Sequence, residues 1–95
     1  MATLTLVTSV FLSKAEALAV LEEALDVPGN TDDPAEVTLP LHHGVVLSIE
    51  VPKFGEDLPL TLDLHHDDPA ALRKVADTTT AHLRDTLGWE IYEIP

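Results

Sequence analysis

The chain predicts an α+β two-layer sandwich, a mostly antiparallel sheet with two helices packed on one face in the order βαβββαβ. Three observations carry this. Apolar and polar residues alternate in several short runs, as half-buried strands require. Two longer stretches instead repeat their apolar residues at helical spacing, and each of these opens on a helix-capping residue. A sheet with one aliphatic face must bury it, and two amphipathic helices supply the cover.

Residues 2–12 set Leu4, Leu6, Val10 and Leu12 against Thr3, Thr5, Val7 and Ser9, a strand pattern broken only at Thr8. Ser13 and Glu16 then form the S-x-x-E capping box, in which each side chain satisfies an otherwise orphan amide at a helix start. From Lys14 to Val27 the residues Ala17, Leu18, Leu21, Ala24 and Leu25 make one apolar stripe, ended by Pro28-Gly29. Asn30 to Pro34 reads as a loop.

Next come three alternating runs: Val37, Leu39 and Leu41; Val45, Leu47, Ile49 and Val51; and Leu58, Leu60, Leu62 and Leu64. His42-His43-Gly44 is short enough for a hairpin loop, with Gly44 where a positive φ is usual. Pro52 to Asp57 closes a second hairpin, so the three runs form a meander. Pro40 and Pro59 cannot donate to a ladder, which puts some of these strands at or near a sheet edge.

Asp68-Pro69 combines an N-cap with proline at the first helical position. Leu72, Val75, Ala76, Thr79, Leu83 and Leu87 continue as an apolar stripe to Gly88, and Trp89 to Ile94 form a last strand. The triplet Thr78-Thr79-Thr80 is locally poor helix material because β-branched residues lose rotamer freedom there. The element order is compatible with a ferredoxin-like arrangement carrying one extra strand. The pattern leaves the positions of the first and last strands within the sheet open.

Residues 1–95 are read as one domain, since a chain of this size supports a single core. Hydrophobic residues make up 45% and aromatics only 4%, so the core must be aliphatic. Without cysteine there are no disulfides and no thiolate chemistry. The amino-terminal run lacks a preceding basic residue and is interrupted by threonines, unlike a secretory signal. No segment is apolar for the roughly 18–20 residues that span a bilayer, and a cytoplasmic location is expected. The Ala-, Leu- and Asp-rich, Lys-poor composition suits a high-GC bacterial source.

A formal net charge of −12 opposes binding to nucleic acid or to anionic membranes. It favours a basic protein partner or a cation. The chain has no G-x-S-x-G, no glycine-rich loop before a helix and only five scattered basic residues, so an enzyme is not expected. Glu50 and Asp63 share a sheet face in this reading, but exposed strand carboxylates are ordinarily solvated.

Two constellations remain. If Leu41 faces Val45 and Val51 faces Leu58, then Val45 faces Leu64, and one further step sets His43 opposite His66. His42 and His65 would lie on the other face, with Asp67 and Asp68 adjacent. Directly opposed side chains have Cβ atoms ~4.5–5.5 Å apart, close enough for imidazoles and a carboxylate to hold Ni²⁺ or Zn²⁺. Against this, histidines are frequent in turns and Asp68 is used as a cap. His82 lies about 20 Å along its helix from that rim at 1.5 Å per residue, and reads as a boundary residue.

The second constellation is acidic. Asp32, Asp33 and Glu36 precede the meander, and Glu50 and Asp63 project from its open face. Val7 and Val46 share that face, and Trp89 or Tyr92 joins them according to the register of the last strand. An acidic patch with a few apolar anchors suits a non-catalytic module that binds a basic protein, in the physical manner of immunity-like inhibitors. The alternatives are a small metal-binding or metal-sensing protein using the histidine rim, and a self-associating subunit that forms a homodimer through its open face.

Overall fold

The computed structural model describes residues 2–29, 37–50 and 59–94. It is an α+β sandwich in the expected order. Strand β1 spans Ala2–Thr8, helix α1 Lys14–Leu25, β2 Thr38–Pro40, β3 Val46–Glu50, β4 Thr61–His66, helix α2 Pro69–Leu87 and β5 Ile91–Ile94. A short 3₁₀ turn, His42–Gly44, joins β2 to β3. The strands form one antiparallel sheet in the order β2-β3-β4-β1-β5. With β2 set aside, the other four follow the ferredoxin-like strand order, and β2 is an added edge. The predicted connection at Pro52 to Asp57, and the Asn30 to Pro34 loop, lie outside the described residues.

The caps behave as their chemistry requires. The Ser13 hydroxyl accepts from the Glu16 amide at 3.2 Å, and Glu16 returns a bond to the Ser13 amide at 3.3 Å. Helix α1 stops at Leu25, two residues before the predicted end, because Asp26 adopts a left-handed conformation (φ 55°). Glu22 then accepts the Gly29 amide at 2.8 Å, turning the chain back on the helix. A Cβ on Gly29 would come within 2.3 Å of the Leu18 side chain, so glycine permits this close return. Asp68 caps α2 by accepting from the Ala70 amide at 2.9 Å, and Gly88 ends it with φ 70°. The threonine triplet stays helical: the Thr78 hydroxyl donates to the Lys74 carbonyl at 3.0 Å, and Thr79 is buried.

Leucine rows run across the covered face of the sheet. Leu39, Leu47, Leu64 and Leu4 align in one row, and Ile49, Leu62 and Leu6 in the next. All seven are buried, and Ala17, Leu21, Leu72, Val75 and Leu83 close the core from the helices. Each such leucine contributes roughly 1.5–3 kcal/mol by leaving water. Helix α1 lies over β3, while α2 lies over β1 and β4.

Thr8, the break in the first apolar run, faces inward and is buried. Its hydroxyl donates to the Leu60 carbonyl at 2.8 Å, which makes its burial tolerable. Regular pairing of β1 ends there rather than at residue 12, and the chain leaves through Ser9 toward the Ser13 cap.

One register differs from expectation. The first hairpin pairs as predicted: Leu39 faces Leu47, and the Leu41 amide donates to the Val45 carbonyl at 2.7 Å. The next pair is offset by two residues, with Leu47 rather than Val45 opposite Leu64. An offset of two keeps every leucine on the covered face, so apolar alternation cannot distinguish the two alignments. The assumed closing pair, Val51 and Leu58, lies outside the described residues.

Candidate functional site

The two-residue offset dismantles the predicted histidine pairing. Val46 now faces His65, so His43 is carried beyond the end of β4 instead of lying opposite His66. His43 is exposed in the 3₁₀ turn with φ 57°, and Gly44 follows with φ 77°, the positive value expected of it. The rings of His42 and His43 are tilted, with centroids 6.5 Å apart.

The four rim histidines separate into different environments. His65 points to the open face, where its Nδ1 is 3.0 Å from the Thr3 hydroxyl. The Nδ1 of His66 accepts the Asp68 amide at 2.8 Å, which ties that ring to the start of α2. These two and Asp67 line a cavity of about 420 Å³ with Thr38, Val46 and Ser48. His42 instead lines a cavity of about 270 Å³ on the helix side, together with His82, Leu25 and Leu41. His82 Nε2 donates to the Ala24 carbonyl at 2.6 Å, satisfying one of the unpaired carbonyls at the end of α1. The boundary histidine is thus a clasp between the helices. Among the described residues, no three His, Asp or Glu side chains converge to hold a metal ion.

The uncovered face of the sheet is the larger feature. Its cross-strand rows read Pro40–Val46–His65–Thr3, then Thr38–Ser48–Asp63–Thr5–Ile94, then Glu50–Thr61–Val7–Tyr92. Asp63 accepts the Thr5 hydroxyl at 2.7 Å, so its carboxylate is held in place near the middle of the face. Glu50 is exposed on the diagonal from Asp63, a separation of roughly 7–8 Å between backbones. Tyr92, Ile94 and Val46 expose 60%, 46% and 38% of their surface.

Glu50, Asp63 and Tyr92 therefore share one surface, as the sequence suggested. Trp89 does not join them: it precedes β5 and packs, half-buried, against the core. Asp32, Asp33 and Glu36 lie outside the described residues. Ile94 was missed; its spacing of two from Tyr92 on a strand was the available signal. Phe11, just past β1, is 64% exposed as well.

The electrostatics of the helix side differ from those of the open face. Glu93, the inward neighbour of Tyr92, meets Arg73 of α2 in a two-pronged pair, with one contact at 2.7 Å. That hydrogen-bonded guanidinium holds the Glu93 carboxyl below its ordinary range and raises the arginine in turn. No helix among the described residues is long and apolar enough to cross a membrane. The chain matches no family model, no curated protein and no solved structure, so any functional reading must come from these surfaces.

Proposed function

We propose that this protein is a non-catalytic, acidic binding module that engages a basic protein through the open face of its sheet, in the manner of an immunity-like inhibitor. The observation that carries the reading is the composition of that face. Glu50 and the anchored Asp63 share it with exposed Tyr92, Ile94 and Val46, on a chain of net charge −12. Charge of one sign raises encounter rates with an oppositely charged partner by roughly 10–10³-fold at low salt. Exposed aromatic and aliphatic side chains then slow dissociation by filling pockets on the partner. The sheet holds the face rigid, so little order must be gained on binding.

The test is affinity capture with the wild-type chain and with Tyr92→Ala, Glu50→Lys and Asp63→Asn variants, at low and at high salt. The expected result is a discrete basic partner whose association slows with salt and whose retention falls with Tyr92→Ala. A partner of neutral or acidic charge, or binding unaffected by all three variants, would overturn the reading.

A further inference from the structure

We infer that β5 is a self-pairing edge, along which a second copy of this chain adds its own β5 antiparallel to form a continuous ten-stranded sheet. The two edges of the sheet are unlike each other. The β2 edge is three residues long and contains Pro40, both ordinary defences against edge pairing. The β5 edge, Ile-Tyr-Glu-Ile, is four residues long and carries the inward-facing charge of Glu93, but it contains neither proline nor lysine, and its only pairing among the described residues is with β1.

The hydrogen-bond phase of β5 defines how a second copy would dock. The Ser9 amide donates to the Glu90 carbonyl at 2.9 Å, so by alternation Tyr92 and Ile94 direct their backbone groups at β1. Those of Ile91 and Glu93 point outward. An antiparallel copy pairs with them when Ile91 faces Glu93 of the second copy and Glu93 faces its Ile91, the Ile91 carbonyl then accepting from the copy as well as from Arg84. The two-fold axis then passes between the two Tyr92 residues, on the open face.

Charge favours this edge for self-contact. Three of the chain's five basic residues, Arg73, Lys74 and Arg84, lie on α2. Arg84 reaches the edge itself, donating to the outward carbonyl of Ile91. In the pairing above, Ile91 is opposed by Glu93 of the second copy, so each Arg84 comes near a carboxylate that Arg73 of that copy already holds. Because α2 lies over β1 and β4, a groove of about 310 Å³ remains between α2 and β5, lined by both Arg84 and Glu93. Elsewhere a net charge of −12 opposes contact between copies; here Arg84 supplies positive charge beside Glu93 and Asp77. The axis runs perpendicular to the sheet, so both acidic open faces stay uncovered apart from the two Tyr92 side chains, which meet at the axis.

The absence of cysteine allows a direct test. At the axis, opposed residues of a non-hydrogen-bonded pair have Cα atoms ~4.5 Å apart, within disulfide reach. Under mild oxidation Tyr92→Cys should form a covalent dimer rapidly. Ile94→Cys should not, since its copies lie about 14 Å apart along the strands at ~3.4 Å per residue, and neither should Val46→Cys. Sedimentation of the cysteine-free chain should show a dimer fraction rising with concentration. Tyr92→Lys should lower it, with far-ultraviolet circular dichroism confirming that the fold is kept, and Arg84→Glu should weaken association as well. A monomer up to millimolar concentration would overturn the inference. So would trapping at Val46→Cys or Ile94→Cys as fast as at Tyr92→Cys, or a dimer indifferent to Tyr92→Lys.

Discussion

The two faces of the sheet are built from the same strands and serve opposite purposes. On the covered face Leu39, Leu47, Leu64 and Leu4 stand in line, each at least 93% withdrawn from solvent, and the helices seal them. On the open face the residues one position along are Thr3, Thr5, Ser48, Asp63 and His65, interrupted by exposed Val46, Tyr92 and Ile94. The covered face holds the fold together. The open face leaves Tyr92, Ile94 and Val46 in contact with water.

That contrast can be broken most severely at Leu64. Leu64→Ala removes a fully buried side chain from the central row, and its loss should cost about 2–5 kcal/mol by denaturant unfolding. A cost below that of a surface substitution would show that the leucine rows are not the core. Thr8→Val tests the one polar residue of β1 on the same covered face. It keeps the shape but removes the hydroxyl that donates to Leu60 and accepts from the Val10 amide, and should cost roughly 1 kcal/mol.

The pair between Arg73 and Glu93 is a smaller effect with a pH signature. Because Glu93 is held below its usual range in the folded chain, its contribution is present above the unfolded value of about 4.3. It is lost as pH falls through the folded value. Melting temperatures of the wild type and Glu93→Gln should therefore differ near neutrality and converge in acid. The smallest expected effect is that of Tyr92→Ala, which should shift stability by no more than about 0.5 kcal/mol. A large loss from that substitution would mean that Tyr92 supports the fold rather than the surface.

Local chemistry was readable from residue order wherever one side chain answers to one backbone need. Ser13 with Glu16, Asp68 with Pro69, and Gly88 marked the helix ends, and Gly44 took the positive φ its hairpin required. The alternating aliphatic residues identified the covered face correctly in the described parts of β1, β2, β3 and β4. The histidine rim was not readable, because it depended on the length of a connection and not on a pattern. Two residues of offset between β3 and β4 leave the leucines inside while sending His43 past the end of β4. They also leave His42 beside His82, a neighbour that helix distance measured from the rim did not suggest.

Alternation and capping are thus enough to specify the order βαβββαβ, the single aliphatic face and the acidic character of the chain, since each follows from neighbours in sequence. Strand order, with β1 enclosed between β4 and β5, required the packed sheet. So did the β3–β4 alignment, the separation of the histidines, and the choice of Tyr92 over Trp89 for the open surface. Those outcomes depend on contacts between residues far apart in the chain, where a shift by one full pleat leaves the burial pattern unchanged and only the complete set of neighbours selects one alignment.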